Sequence, residues 1–278
     1  MIKVKPEKPI PVKNIETSSD KIHIWLRADV HFGSEDHDAS YHAEYLKWFN
    51  SSPDHYDIWL GDICDFAVPT ARKYKYMASQ LFKSSYQWQI FERWLSENHE
   101  KHLIVLPGNH EFGRVIHYTS LFDGDLIDNT CKKYNVLYSL KNTYFKLNIK
   151  SQKNGKSFNT GYLFYLSHGR SSAATDDYIL RQLIEKGIAD AADFVIVGHT
   201  HHNNSKTYYR NYVNRDSIGV KKIEGIRPGS FQSEPLYISF DRPRPSPDGN
   251  GILELRTDLT DYIYYENLDD WRIKNGEY

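Results

Sequence analysis

One pattern, repeated five times, constrains this chain more than any other: a short apolar, β-favouring run that ends at once in a turn carrying Asp, Asn or His. Lys21-Ile-His-Ile-Trp-Leu-Arg27 runs into Ala-Asp-Val-His-Phe-Gly, and Tyr56-Asp-Ile-Trp-Leu60 into Gly-Asp-Ile-Cys-Asp. Lys101 to Leu106 runs into Pro-Gly-Asn-His-Glu, Gly161 to Leu166 into Ser-His-Gly, and Asp193 to Val197 into Gly-His-Thr-His-His. Stretches 38–50, 74–98 and 175–188 between these runs suit helices, the second with Tyr74, Met77, Leu81, Tyr86, Ile90, Trp94 and Leu95 near helical spacing. Strands alternating with helices predict α/β layers, in which functional residues gather at the carboxyl ends of strands.

Past residue 202 the pattern is mostly β, with strands expected over Lys206 to Val213, Val220 to Ile226, Leu236 to Phe240 and Ile252 to Arg256. Turn signals fall at Arg227-Pro-Gly and Pro247-Asp-Gly-Asn-Gly. Pro6, Pro9 and Pro11 forbid a helix near the start, so residues 1–20 read as an extended or flexible tail and 21–278 as one domain, a size a single core can fill.

Charge excludes little but guides the choice of partner. A formal net charge of -1 gives no long-range pull toward nucleic acid or a membrane, although a local basic patch would escape this argument. The two cysteines, Cys64 and Cys131, form no paired motif, which argues against a disulfide framework or thiolate zinc site and fits a reducing compartment. No stretch approaches the roughly 18 apolar residues of a membrane span, and the first residues lack an apolar leader. The expectation is a soluble, cytoplasmic protein without a membrane partner.

The chemistry lies in the turns. In an extended segment residues i and i+2 share a face, so Asp29 with His31, and His199 with His201, each present a pair of ligands to one site, while His202 points away toward solvent. Imidazole and carboxylate together suit zinc, manganese or iron. Asp62 has two oxygens with which to bridge, Asn109 offers a carbonyl and His168 another imidazole: enough for two ions about 3.5–4 Å apart, the arrangement that clamps the attacking and leaving oxygens of a phosphoryl displacement.

The ordered set Asp29-x-His31, Gly61-Asp62-x-x-Asp65, Gly108-Asn109-His110-Glu111, His168-Gly169 and Gly198-His199-x-His201 resembles the five signature motifs of the calcineurin-like metallophosphoesterase superfamily. Short prokaryotic and phage-encoded members also show GNHE followed closely by Arg, as here. The resemblance implies a four-layer α/β/β/α sandwich in which two mixed β-sheets are flanked by helices. It implies one metal held by Asp29, His31, Asp62 and His201 and a second by Asp62, Asn109, His168 and His199, with manganese expected and iron or zinc as alternatives. It further implies attack on phosphorus by a hydroxide between the ions, with His110 protonating the leaving oxygen or stabilising its charge and Asp65 orienting His110. Arg227-Pro-Gly-Ser is similar to a family turn that closes a strand beneath the site.

Several residues invite a functional reading that a simpler one outweighs. His23, His42, His55, His99, His102 and His117 fall in no motif and read as surface or locally bonded histidines; Cys64 reads as a small buried filler. Thr70-Ala-Arg-Lys-Tyr-Lys-Tyr76 reads as a solvated helix start, with a nucleic-acid rim as the alternative. Arg114, four residues beyond His110, is expected to grip phosphate directly.

The expected function is therefore two-metal phosphoester hydrolysis, with a phosphodiester, nucleotide or nucleic acid favoured over a monoester. The protein Ser/Thr phosphatase branch is disfavoured because Phe66-Ala67 stands where that branch has Arg-Gly. A metallo-β-lactamase would need an HxHxDH run, and an amidohydrolase an HxH on the first strand, where this chain has Asp29-Val-His31. The reading from a different class is a non-catalytic scaffold, which would be expected to lose metal ligands; here all are present.

Overall fold

Strand Lys21–Arg27 (β2) is buried along nearly its whole length, because both of its faces are covered. In this computed structural model, which describes residues 9–66, 80–116, 124–153, 155–169, 177–214, 217–232 and 249–277, β2 lies at the centre of a five-stranded sheet. Parallel to it run His55–Trp59 (β3) and then His102–Val105 (β4); on its other side Ile252–Arg256 (β11) and Tyr262–Tyr265 (β12) add antiparallel strands.

The second sheet has seven strands among the described residues. Val12–Thr17 (β1) pairs parallel with Thr143–Lys153 (β5), which forms an antiparallel hairpin with Lys156–Ser167 (β6). Phe194–Val197 (β7) is parallel to β6, and Ser217–Ser230 (β9) is parallel to β7. The long Asn203–Asn214 (β8) and the two-residue Gly249–Asn250 (β10) pair antiparallel with β9.

Three apolar clusters show how the layers stack. One, with Ile24, Leu26, Ile58, Leu60, Phe145, Leu147, Phe164 and Ile196, fills the space between the sheets. A second covers the outer face of the five-stranded sheet with Ala39–Asn50 (α1), Ser84–Ser96 (α2), Leu126–Lys133 (α3) and Leu268–Asn275 (α5). The third packs Asp177–Glu185 (α4) on the seven-stranded sheet through Leu180, Ile184, Val195 and Val197. The result is the four-layer α/β/β/α sandwich, with both sheets mixed.

Local chemistry fixes the helix ends. Asp38 caps α1 by accepting from Tyr41 N, Asp125 caps α3 and Asn267 caps α5. α1 buries His42, Tyr45, Trp48 and Phe49, one stripe at helical spacing.

Three expectations are corrected. Residues 12–17 are not a tail: lysines and prolines mask a strand whose pairing partners, Lys146 to Ser151, are too distant in sequence to leave a local signal. Of the helix expected over 74–98, Ser84–Ser96 is helical and residues 80–83 are not, because Leu81 N bonds Gly33 O and Gln80 bridges to Ser34; residues 74–79 lie outside the described residues. Arg227-Pro-Gly does not turn the chain; it continues β9, and only Gly229, at φ 83°, departs from strand geometry before Ser230. The strand expected over 236–240 and the basic-aromatic segment 70–76 lie outside the described residues.

The non-motif histidines divide by place. His23, His42, His55 and His102 are buried and bonded locally, His99 is exposed, and His117 is outside the described residues.

Candidate metal centre

The site forms where the carboxyl ends of β2, β3 and β4 meet those of β6 and β7. Backbone pairing continues past the strand ends: Asp29 N donates to Gly61 O, His31 N to Asp62 O and Phe32 N to Ile63 O. The turn after β2 is thereby carried on the turn after β3. From beneath, Ser230 Oγ and Phe231 N both donate to Asp29 O, so the end of β9 supports the first turn as the Pro-Gly-Ser similarity implies.

Close approach of backbone to backbone explains the glycines. A Cβ on Gly61, at φ 90°, would stand 2.2 Å from Gly108 N, and one on Gly108 would stand 2.1 Å from Asp62 Oδ1. Only glycine fits at either position, and this contact sets Asp62 directly beside Asn109 and His110, whose N donates to Asp62 Oδ1 at 2.8 Å.

The side chains are aimed by a conformation that differs from the extended one expected. Asp29, His31, Asp62, His199 and His201 all have positive φ, between 49° and 73°, and make up five of the eight such non-glycine residues described. Left-handed backbone at a non-glycine residue costs about 1–3 kcal/mol and clusters where function holds it in place. Simple alternation therefore fails: His199 and His201 separate into different groups. Asp29, His31 and His201 converge on one, and Asp29, Asp62, His168 and His199 on another, with Asp62 also meeting His31 and His110.

The second group is the tighter. His168 Nε2 lies 3.3 Å from Asp62 Oδ2, 3.1 Å from Asn109 Oδ1 and 3.2 Å from His199 Nδ1. Ligands around one ion with bonds of about 2.0–2.2 Å stand roughly 3.0–3.5 Å apart, and each of these three distances from His168 Nε2 falls in that range. His168 Nδ1 donates to Leu60 O at 2.7 Å, which fixes the ring so that Nε2 faces Asp62, Asn109 and His199. In the first group His201 Nε2 is 3.5 Å from Asp29 Oδ1 and His31 Nε2 is 3.9 Å from Asp62 Oδ2.

Orphaned polar atoms provide an independent test of fit. Asp29 Oδ1 and His31 Nε2 are buried without a hydrogen bond among the described residues, while His31 Nδ1 faces Asp65 Oδ1 at 3.4 Å and Asp29 Oδ2 accepts from His199 N at 2.8 Å. Buried polar atoms left this way call for a missing partner, and a cation is the partner that carboxylate and imidazole lone pairs share.

The buried charges of the cluster shift one another. Burial, reinforced by the neighbouring Asp62 charge, raises Asp29 to about 7 against the opposing pull of His168 and His31. Burial would raise Asp62 too, but His110, His168 and His31 hold it well below the usual carboxylate range. Burial lowers His168, yet Asp62 overcomes it and lifts the imidazole to about 10. Burial, then the neighbouring histidines, depresses His199 and His201.

Beside the metal-type groups stands a polar set that touches His110. Its Nδ1 is 3.0 Å from Asp65 Oδ1, and its Nε2 is 3.9 Å from Asp62 Oδ2. Asp65 also lies 3.4 Å from His31 Nδ1 and accepts from Gln80 Nε2 at 2.6 Å. Burial would raise Asp65, but the bonds to His110 and His31 hold it far below its ordinary value.

Arg114 does not stand free to grip phosphate as expected. Its Nη1 donates to the Asp65 backbone carbonyl and lies 3.3 Å from Asp65 Oδ2, while Nη2 lies 3.3 Å from His110 Nε2. The guanidinium is occupied because Asp65, buried among the histidines, offers it a carboxylate and a carbonyl together. His202, expected to face solvent, is half-buried. Cys64 is buried with Sγ toward Gln87 O, a filler as expected.

Sequence reasoning missed three residues that hold these parts. Asn250 is fully buried, donates to Ala28 O and Gly229 O, and accepts from Ala28 N and Trp25 Nε1, tying β2 to β9 just below Asp29. Gln87 Oε1 accepts from Phe66 N, and Glu111 is buried between the two central turns. The Asp-Gly-Asn-Gly run signalled a turn and hid the amide's role.

No known family profile matches the sequence, and no curated protein matches it. Among solved structures, Vacuolar Protein Sorting 29 from Cryptosporidium parvum overlays with a TM-score of 0.40 and 16% identity, covering 88% of this chain and 97% of that one. A predicted phosphoesterase from Streptococcus pneumoniae gives 0.37 and 12%, covering 89% and 91%. Zinc-complexed Vps29 from Entamoeba histolytica gives 0.33 and 12%, covering 87% and 97%.

Proposed function

We propose that this chain is a calcineurin-like metallophosphoesterase that hydrolyses phosphoester bonds with two divalent ions. What carries the proposal is the meeting of seven candidate ligands from five strand-end turns, with Asp29 Oδ1 and His31 Nε2 buried and unbonded. Asp29, His31, Asp62 and His201 would hold one ion and Asp62, Asn109, His168 and His199 the other. Manganese suits this mixed nitrogen and oxygen set, as do iron and zinc. When bound, such ions supply Lewis acidity and lower the pKa of water.

The protein's own groups do the rest. His110, with Nδ1 against Asp65, keeps its proton on that nitrogen while Arg114 donates toward Nε2. A substrate phosphoryl group entering beside Asp62 would meet the imidazole, which would stabilise the developing charge or, once Nε2 has taken up a proton from water, pass that proton to the leaving oxygen. Asp65 fixes the ring's tautomer and orientation.

A phosphodiester, nucleotide or nucleic acid is the substrate class favoured, acting in a reducing, cytoplasmic setting where Cys64 and Cys131 stay free thiols. Among the described residues no helix is long and apolar enough to cross a membrane. The scaffold reading finds less support, because each ligand position is filled by a residue able to bind metal.

The test is hydrolysis of bis-p-nitrophenyl phosphate, p-nitrophenyl phosphate and single-stranded DNA by manganese-loaded protein, with Asp62→Asn as the blank. Diester cleavage absent from the blank is the expected result. Full metal loading with no turnover of any of the three would favour the scaffold.

A further inference from the structure

Glu111 is almost wholly buried, one residue past His110, and all the contacts of its carboxylate go to backbone amides around the site. Oε2 accepts from Asp62 N at 2.7 Å and Gly108 N at 2.9 Å; Oε1 accepts from Ile63 N at 2.8 Å and Cys64 N at 3.3 Å. Three successive amides of the turn after β3, and the amide that precedes Asn109, thus point at one carboxylate.

The contact is reciprocal. Glu111 takes the backbone amide of Asp62, while Asp62 Oδ1 takes the backbone amide of His110. Each turn's side chain caps the other turn's backbone, across the gap that Gly61 and Gly108 keep narrow. Asp62 is held at φ 52°, a conformation it would leave without restraint.

We infer that Glu111 is a positioning residue that locks the turn bearing Asp62 and the turn bearing Asn109 and His110 into one register, so that both candidate ion sites depend on it although it supplies a ligand to neither. The inference rests on the metal reading above. It assigns Glu111 a reach that a ligand lacks: a ligand serves the ion it binds, whereas the clamp sets Asp62, common to both sites, together with Asn109.

Glutamine is the sharpest substitution, since its NH2 would face two amide donors that now meet an oxygen. In metal-free Glu111→Gln, amide exchange at residues 62–64 and 108 is expected to accelerate about 10-fold or more, as buried amides lose their acceptor, while the amides of β2 and β11 keep their protection. Manganese affinity, read by the free-ion resonance signal, is expected to fall about 10–100-fold at both sites in parallel. Glu111→Asp, which keeps the charge but is one methylene shorter, should move both readouts the same way and serves if the glutamine variant does not fold. Unchanged protection of those four amides would overturn the clamp. Loosened amides with unchanged manganese affinity would reduce Glu111 to fold support and overturn its positioning role. Wild-type protein that binds no manganese would contradict the metal reading itself, and the exchange measurement would still decide whether the clamp exists.

Discussion

Asp65 Oδ1 lies 3.0 Å from His110 Nδ1, and the pair stands at the edge of the candidate ligand groups. A carboxylate placed so sets which nitrogen carries the proton. His110→Ala is expected to leave metal content intact and lower turnover about 10²–10⁴-fold. Asp65→Asn, which keeps shape but loses charge, should lower it about 10–100-fold. Turnover and bound metal measured together check both, and unchanged turnover in His110→Ala would remove it from the mechanism.

Arg114 spans Asp65 and His110. A residue acting through that pair shows itself in kcat, whereas one that only grips substrate shows itself in KM. Arg114→Gln is expected to reduce kcat about 10-fold or more with a smaller change in KM. Steady-state kinetics decide it, and a raised KM at wild-type kcat would return Arg114 to the direct phosphate contact its place in the sequence first indicated.

Acid sensitivity should begin early, near neutrality. Burial lowers His37 and His55 to about 4, and burial with Arg27 nearby holds His42 well below its ordinary value. Each is depressed relative to the unfolded chain, so the unfolded state binds more protons once the pH drops below about 6.5. Stability is whole above that pH and is lost progressively toward pH 4. Melting temperatures from pH 7.5 to 5 are expected to fall across this window, and a flat profile would contradict the buried, neutral state of these rings.

Arg27 is buried among Trp25, Trp59 and Trp94, 4.6–4.7 Å from each ring, and lies 3.8 Å from the buried Asp57. Truncating it would strand that carboxylate, which His102 and Trp59 also contact. Arg27→Leu is expected to destabilise the protein by about 3–5 kcal/mol in urea unfolding. A loss within 0.5 kcal/mol, roughly the size of an ordinary surface change, would show the ion pair to be unimportant.

The strands that carry the site could be read directly, because β2, β3, β4, β7 and the last half of β6 are short apolar runs that each end in a polar turn. β1 could not, since its stability comes from pairing with residues some 134 positions away, as in Val12 with Lys146. β5 left a signal that went unused: Phe145, Leu147 and Ile149 alternate toward the core. The identities of the candidate ligands were legible, but their aiming was not, because left-handed backbone at Asp29 or Asp62 is held by cross-turn bonds and leaves no trace in residue type. Glu111 was visible as a letter of a motif, and its task appears only when two turns far apart in sequence are brought together.

The central claim is that Asp62 is shared by two ion sites. Manganese titration of wild-type protein and of Asp62→Asn, read as ions bound per chain, tests it most directly. The account predicts two ions for the wild type and impaired binding at both sites together in the variant; one ion or none in the wild type, or two at normal affinity in Asp62→Asn, would contradict it.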